Sequence, residues 1–203
     1  MSIKSFLTYK LAKKEPHDYW KKPFDVPNQP ETYLKWTKRS EYLLKKFNEL
    51  RIKKDAKILE IGCNVGRNLN YLFEHGYKNL TGIEINEHAV ELMKENYPEM
   101  YKNSDIRVGE VEKELDKLGE FDLIFTMAVF MHIPYSSNFI FDKISKKAKF
   151  ILTIEDEHMN NSWSHYPRNY KSIFENNGFK QSKEEDVEGN DLDDYTLRFL
   201  KGR

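Results

Sequence analysis

Residues 57–72, KILEIGCNVGRNLNYL, carry the pattern that decides the fold. The apolar run at 58–61 is too short for a helix and is typical of a strand covered on both faces. Gly62 and Gly66 allow the backbone to turn sharply and to approach a ligand closely. Apolar residues then recur at helical spacing. The stretch therefore predicts a strand, a tight turn and a helix whose first N–H groups face a ligand.

Short strands and helices alternate along the rest of the chain. Two closing strands without a helix between them predict an antiparallel hairpin at one sheet edge. We therefore expect an α/β fold with a doubly wound, mostly parallel, seven-stranded sheet and an antiparallel C-terminal edge. The predicted strands lie near 57–61, 80–85, 106–108, 121–127, 150–154, 179–187 and 195–201, and the predicted helices near 31–50, 65–75, 87–97, 136–146 and 166–176.

The N-terminal segment has a different character. Repeated prolines interrupt residues 1–30, yet Tyr9, Tyr19, Trp20 and Phe24 make this segment too apolar for a simple disordered tail. We interpret it as an irregular arm that packs onto the main domain. With the following helix it forms a predicted helical and aromatic cap, residues 1–50, on a Rossmann-like domain, residues 51–203.

Composition limits the possible partners. The chain has 33 Lys and Arg against 33 Asp and Glu, which argues against nucleic-acid and membrane partners. Residues 1–57 hold 15 basic and 7 acidic residues, a pattern of solvated helix faces or of an anion-binding arm. Cys63 is a single cysteine, no run of 18 apolar residues occurs, and no secretory signal is evident. We expect a cytoplasmic protein, and either a monomer or a homodimer fits.

Two acidic residues define the expected ligand. Glu84 ends the second predicted strand about 20 residues after the glycine turn, where a carboxylate accepts hydrogen bonds from ribose hydroxyls. The turn itself reads Glu-x-Gly-x-Asn-x-Gly, and Glu60 at its start would repel a pyrophosphate. The pattern favours a sulfonium or amino-acid-bearing cofactor over NAD.

These stretches resemble known motifs. Residues 58–66 are similar to the first motif of class I S-adenosylmethionine-dependent methyltransferases, and 82–86 to their ribose-binding motif. Residues 121–125 and 129–133 resemble the fourth-strand motif and the segment after it. The resemblance covers residues 55–155 and implies an enzyme with a Rossmann-like methyltransferase fold, S-adenosylmethionine as cofactor and no metal. The first two motifs are also similar to methylases associated with sugar and surface-glycan biosynthesis.

The resemblance implies a set of cofactor contacts. Glu60 would lie near the methionine amino group and Glu84 at the ribose. Asn64 replaces the usual middle glycine, and we expect its side chain to bond within the turn. The complete implied set is Glu60, Gly62, Cys63, Asn64, Gly66, Glu84, Ile85, Glu110, Val111, Met127 and Ala128.

His132 follows the fourth strand, where related enzymes place residues near the methyl group. It is either a general base or a structural histidine bonded to backbone. The substrate candidates are Trp20, Tyr33, Arg39, Glu155 and Arg168. The alternatives are packing for the first three, a solvated acidic loop for Glu155, and solvation at a helix start for Arg168.

The predicted reaction is methyl transfer from S-adenosylmethionine to an oxygen or nitrogen of a small molecule, such as a sugar or another polar metabolite. Residues 126–129, TMAV, lack the Pro-Pro motif of the amide and base-amino methylases. Three alternatives remain at this point. They are methylation of RNA or protein, a cofactor-binding module without catalysis, and an NAD-type dehydrogenase or epimerase.

Overall fold

The computed structural model describes residues 16–23, 25–158, 164–189 and 192–202. Tyr9 and Phe24, two of the aromatic residues predicted to pack in the N-terminal arm, lie outside the described residues. Among the described helices, none combines the length and apolar character that a membrane crossing needs.

The described residues form a sheet of seven strands in the order β3-β2-β1-β4-β5-β7-β6. Strands β1 to β5 are parallel, and β7 runs antiparallel to both of its neighbours. This arrangement confirms the predicted fold class. The strands are β1 (Ile58–Ile61), β2 (Leu80–Glu84), β3 (Asp105–Val108), β4 (Phe121–Met127), β5 (Ala148–Glu155), β6 (Lys180–Asp186) and β7 (Thr196–Lys201).

Helices cover both faces of this sheet. They are α1 (Pro16–Lys21), α2 (Pro30–Tyr33), α3 (Thr37–Glu49), α4 (Arg67–Glu74), α5 (Glu87–Asn96), α6 (Pro98–Lys102), α7 (Val111–Glu114), α8 (Ile140–Lys147) and α9 (Tyr170–Asn176). Short 3₁₀ turns lie at Val26–Asn28, Leu115–Lys117, Phe130–His132 and Tyr135–Ser137.

Alternate residues of β1 point to opposite faces of the sheet, as the two-residue repeat of a strand requires. Ile58 packs in one apolar cluster with Leu43 and Phe47 of α3 and with residues of α4 and α5. Leu59 and Ile61 pack in the second cluster, with residues of α7, α8 and α9. Because α3 contributes fully buried residues, it is an integral part of the core. The division into 1–50 and 51–203 stays a prediction.

The predicted helix over 31–50 is divided in two. The carbonyl oxygen of Tyr33 accepts a hydrogen bond from Arg67 Nη1 at 3.0 Å, and the helix stops at that residue. Arg39 then lies over the Trp36 ring at 3.9 Å, at the start of α3. A long-range contact therefore interrupts a pattern that is continuous in the sequence.

Two other predicted helices begin later than expected. The predicted helix over 166–176 begins at Tyr170, because the Asn169 side chain accepts a hydrogen bond from the Ser172 N–H at 2.8 Å and caps the helix there. The helix predicted from Ser136 begins at Ile140, after the 3₁₀ turn at Tyr135–Ser137.

Candidate active site

A cavity opens past the carboxyl ends of β1, β2 and β4, where the strand order reverses. This is the position at which open α/β sheets bind ligands. Helix α1 and the chain before α3 cover its outer side. Lining residues include Trp20, Tyr33, Arg39, Glu60, Gly62, Cys63, Asn64, Glu84, Ile85, Val111, Met127, Ala128 and His132. The structure thus brings together most of the residues that the sequence singled out.

Gly62 is required by both its conformation and its neighbour. Its φ is +72°, and a Cβ built there would lie 2.5 Å from Val129 Cγ2. The N–H groups of Gly62 and Cys63 both donate to the carbonyl oxygen of Ile83, at 2.8 and 3.1 Å. The turn is therefore tied to the end of β2 and presses against the segment that follows β4.

Asn64 occupies the left-handed region with φ +48°. Its Oδ1 accepts a hydrogen bond from the Val65 N–H at 2.8 Å, so the side chain bonds within the turn as expected. Gly66, with φ +72°, precedes α4 and packs against Met93 instead of lining the cavity. Its contribution is to the geometry of the turn.

Glu84 connects the turn to the next helix. Its Oε2 accepts from the Asn64 N–H at 2.7 Å, and its Oε1 accepts from the Asn86 N–H at 2.8 Å. Burial raises the pKa of this carboxyl group, and the backbone hydrogen bonds oppose that rise. Each carboxylate oxygen can accept a further bond. Glu84 can therefore position the turn and still receive hydroxyl donors from the cavity.

Glu60 is almost fully buried, with 2% of its surface exposed. Its Oε1 accepts from Asn68 Nδ2 at 2.8 Å, whereas Oε2 is buried without a hydrogen-bond partner among the described residues. Burial raises the pKa of this carboxyl group to about 8. An unpaired carboxylate oxygen beside a cavity is a site for a cation, because a positive group would compensate its lost hydration.

Arg67 links the turn to the N-terminal helices, a role that sequence reasoning missed. Its Nε donates to Ser40 Oγ at 2.9 Å and its Nη2 to Asn68 Oδ1 at 3.0 Å. Ser40 also donates to Asn68 Oδ1 at 2.7 Å. Both Arg67 and Asn68 lie within the stretch 57–72, directly after the first motif. In the sequence, two polar residues at the start of a helix with a buried face were the signal that could have indicated this role.

His132 is held in one orientation. Its Nδ1 lies 3.0 Å from the carbonyl oxygen of Ser164, which can only accept, so Nδ1 carries the hydrogen and Nε2 is the basic nitrogen. Burial lowers the pKa of His132 to about 3. The ring centroid lies 4.4 Å from that of Trp20 and 4.9 Å from that of His165. His132 is therefore a neutral imidazole in an aromatic wall of the cavity.

Helix α1 closes the cavity through three contacts. The Trp20 ring packs at a tilt against the His132 ring, His17 Nε2 lies 2.9 Å from Glu112 Oε1, and Lys21 Nζ lies 3.0 Å from Glu110. The hydrogen bond with Glu112 raises the pKa of His17. Both His17 and Glu112 line the cavity and were missed by sequence reasoning.

The structure places Glu110 outside the cavity, in contrast to the sequence-based prediction. Its carboxylate pairs with Lys21 and with Lys113, the second at 2.6 Å. Since α7 begins at Val111, the acidic residue that reaches the cavity is Glu112, two positions later.

The cavity does not include Glu155 and Arg168, two of the predicted substrate-binding residues. Glu155 is fully buried beneath the segment after β4 and accepts hydrogen bonds from Thr126, Val129 and Met131. Burial raises its pKa to about 7. Arg168 donates to Asn138 and to backbone carbonyl groups. Tyr33 and Arg39 line the cavity, and their contact with a substrate stays a prediction.

The site fits the cofactor that the sequence implies. The unpaired Oε2 of Glu60 suits an ammonium group, and the buried Glu84 suits a pair of ribose hydroxyls. Apolar side chains at Ile85 and Val111 provide walls for a base. Each of these features lies at the same cavity, so one elongated ligand can contact them all.

Comparison with known proteins agrees with this geometry. Residues 59–146 match the family model described as a methyltransferase domain. The matched segment runs from β1 to α8 and contains the glycine turn, Glu84 and His132.

The fold is similar to several solved structures. Magnesium protoporphyrin IX methyltransferase from Synechocystis PCC 6803, with bound SAH, is 12% identical over 97% of each chain, with a TM-score of 0.66. A putative RNA methyltransferase from Pyrococcus horikoshii is 13% identical over 94% of this chain and 96% of that chain, with a TM-score of 0.64. TehB from Haemophilus influenzae is 15% identical over 81% of this chain and 67% of that chain, with a TM-score of 0.62.

Proposed function

We propose that this chain is a class I S-adenosylmethionine-dependent methyltransferase, on the match of residues 59–146 to a methyltransferase domain and on its fold, and that the methyl acceptor is an oxygen or nitrogen of a small molecule. The observation that carries this inference is the cover formed by α1. Trp20 lies against His132 at 4.4 Å, and the contact of His17 with Glu112 closes the same side of the cavity. An acceptor must fit beneath this cover.

The cofactor would be held by the groups described above. Glu60 would bind its ammonium group and Glu84 its ribose, while Met127 and Ala128 line the cavity at the carboxyl end of β4. When bound, S-adenosylmethionine supplies an electrophilic methyl group. The protein then has to orient the acceptor and exclude water. The cover over the cavity serves both requirements.

His132 would act at its Nε2. Because Nδ1 faces the Ser164 carbonyl, Nε2 keeps its lone pair and can accept a proton from an acceptor hydroxyl or ammonium group. The low pKa keeps this nitrogen unprotonated over the physiological range. Because a hydroxyl becomes strongly acidic as its oxygen is methylated, Nε2 would take the proton during methyl transfer and then release it to solvent.

Structural likeness leaves the acceptor open, since the similar structures include a magnesium protoporphyrin IX methyltransferase and a putative RNA methyltransferase. The partial cover that α1 forms over the cavity favours the small molecule. The alternative of an RNA or protein acceptor would require α1 to move away, which breaks the contacts of His17, Trp20 and Lys21. The methyltransferase family match leaves the dehydrogenase alternative without support.

A labelling experiment tests the proposal. The protein is incubated with methyl-labelled S-adenosylmethionine and, in separate reactions, a metabolite extract, RNA and protein. We expect label in the small-molecule fraction. Label confined to RNA or protein would contradict the proposal. Binding of S-adenosylhomocysteine, measured by calorimetry, shows independently that the cofactor site is intact, and NAD serves as the control ligand.

A further inference from the structure

The 3₁₀ turn at Phe130–His132 is held by charged side chains that lie outside the cavity. Glu155, at the carboxyl end of β5, is 0% exposed. Its Oε2 accepts from the Val129 N–H at 3.0 Å and from the Met131 N–H at 3.2 Å, and its Oε1 accepts from Thr126 Oγ1 at 2.7 Å. One buried carboxylate therefore receives two N–H groups of the segment that carries His132.

A second set of contacts holds the same turn through its carbonyl groups. Arg168 Nη1 donates to the Phe130 carbonyl at 3.1 Å, and the Tyr166 N–H donates to the Met131 carbonyl at 2.7 Å. The His132 ring itself donates to the Ser164 carbonyl. Glu155 thus binds the N–H groups of the turn, whereas Arg168 and the backbone N–H of Tyr166 bind its carbonyl groups.

The backbone before the turn is strained. Ala128 has φ +59°, in the left-handed region that is unfavourable for a residue with a Cβ. Such conformations persist where surrounding contacts fix them. Glu155 accepts a hydrogen bond from the N–H of Val129, the residue that directly follows the strained Ala128. Ala128 and Val129 also line the cavity, so the same contacts shape its wall.

A carboxylate suits this arrangement better than a neutral side chain. Glutamate is an acceptor at both oxygens, whereas glutamine has one acceptor oxygen and adds two donors. Three donors converge on Glu155, so an amide at this position would leave an N–H group facing another donor. Burial of a charge is costly, and this convergence of donors compensates for it.

We propose that Glu155 is a positioning residue, which fixes the orientation and the tautomer of His132 by holding the N–H groups of Val129 and Met131. This inference rests on the function proposed for His132, although its test does not need the methyl acceptor. Arg168 assists by holding the Phe130 carbonyl. Neither side chain touches the cavity, so neither is a catalytic residue.

The test uses NMR of the full chain with ¹⁵N-labelled histidine. The His132→Gln variant identifies the His132 signals among those of six histidines. In the wild-type protein we expect the pattern of an Nδ1–H tautomer. In Glu155→Gln we expect a change toward mixed tautomers, together with an about tenfold loss of affinity for S-adenosylhomocysteine because the wall at Ala128 shifts.

Thr153→Val is the matched control. Thr153 lies on the same strand, is 0% exposed, and its Oγ1 has no hydrogen-bond partner among the described residues. We expect this variant to leave both the His132 signals and the affinity unchanged. A change of equal size in Thr153→Val would show that any disturbance of β5 has this effect, and would overturn the proposal.

Unchanged His132 signals in a folded Glu155→Gln protein would also overturn the proposal that Glu155 positions His132. If Glu155→Gln does not fold, Thr126→Val removes one donor to the same carboxylate. We then expect a smaller shift of the His132 signals in the same direction, and no shift would reject the proposal. Failure of the wild-type protein to bind S-adenosylhomocysteine would instead contradict the proposed function.

Discussion

The side-chain amide of Asn68 donates to Oε1 of Glu60 at 2.8 Å, and this bond leaves the other carboxylate oxygen unpaired at the cavity. Asn68 thereby fixes which oxygen faces the ligand. Asn68 is itself held by Arg67 and Ser40, so the orientation of the acid depends on helices from both sides of the glycine turn. Among the described residues, this buried acid therefore has one oxygen paired with Asn68 and one oxygen open to a cation.

Replacing this acid tests its role toward the ligand. In Glu60→Gln we expect affinity for S-adenosylhomocysteine to fall about tenfold or more, the effect of losing a hydrogen bond between charged groups. Calorimetry at pH 7.5 measures the change. Glu95→Gln, an exposed change on α5, is the control and should bind as the wild-type protein does. Equal affinity in both variants would exclude an ammonium site at Glu60.

The same variant should alter the pH dependence of stability. The pKa of Glu60 is raised from 4.5 to about 8 in the folded protein, so between these values the folded state holds a proton that the unfolded state releases. The contribution of Glu60 to the free energy of unfolding is fully present below pH 4.5 and is lost as the pH rises toward 8. We expect the Tm of Glu60→Gln, relative to wild type, to increase across this range. A constant difference between pH 5 and 8.5 would refute the raised pKa.

Glu84→Gln should weaken cofactor binding by about tenfold or more, because an amide cannot accept from ribose hydroxyls with both of its terminal atoms. It should also loosen the turn, since Glu84 holds the N–H groups of Asn64 and Asn86. Calorimetry with S-adenosylhomocysteine and with adenosine separates these effects. If adenosine binding is retained in full, Glu84 does not contact the ribose.

His132→Gln should lower kcat by roughly 10²–10⁴-fold, the range for loss of a general base, with little change in S-adenosylhomocysteine affinity. Because the pKa of His132 is about 3, its protonation should not limit turnover between pH 5 and 8. The pH–rate profile of the wild-type enzyme, with the acceptor found by labelling, measures this. The opposite result, weak binding with retained turnover, would make His132 structural.

Comparing Gly62→Ala with a control variant separates the cost of the left-handed backbone at Gly62 from the cost of its close contact with Val129. The left-handed φ should cost about 1–2 kcal/mol, and the clash with Val129 should add about 1–3 kcal/mol. Gly189 has the same φ of +72° with nothing within 4 Å of its Cβ position, so Gly189→Ala measures the conformational part alone. Urea unfolding gives both values. Equal losses would mean that Val129 moves aside without a penalty.

The local sequence pattern was sufficient to predict the strands and to place Glu60, Gly62 and Glu84 at one cavity. The apolar run at 58–61, the two glycines and Glu84 are close in sequence or at a fixed spacing, so their arrangement follows from one strand–turn–helix unit and the strand beside it. The prediction of Asn64 bonding within the turn succeeded for the same reason, because its partner is the next residue.

The acceptor end could not be predicted in this way. Glu155 and Arg168 were selected because they follow a strand and precede a helix, yet both reach backbone groups of the Phe130–His132 turn. Glu110 and Glu112 differ by two positions, and only the start of α7 decides which of them reaches the cavity. These outcomes depend on contacts between segments far apart in the chain.

The sequence by itself determined the α/β class, the order of strands and helices, and the acidic and glycine positions that favour a sulfonium cofactor, because strand burial, turn geometry and ligand charge are local properties. Only the tertiary structure decided that Tyr33 ends a helix on Arg67, that α1 covers the cavity, and that His132 is a half-buried neutral ring. Burial and long-range hydrogen bonding arise when distant segments pack together, so no local pattern encodes them.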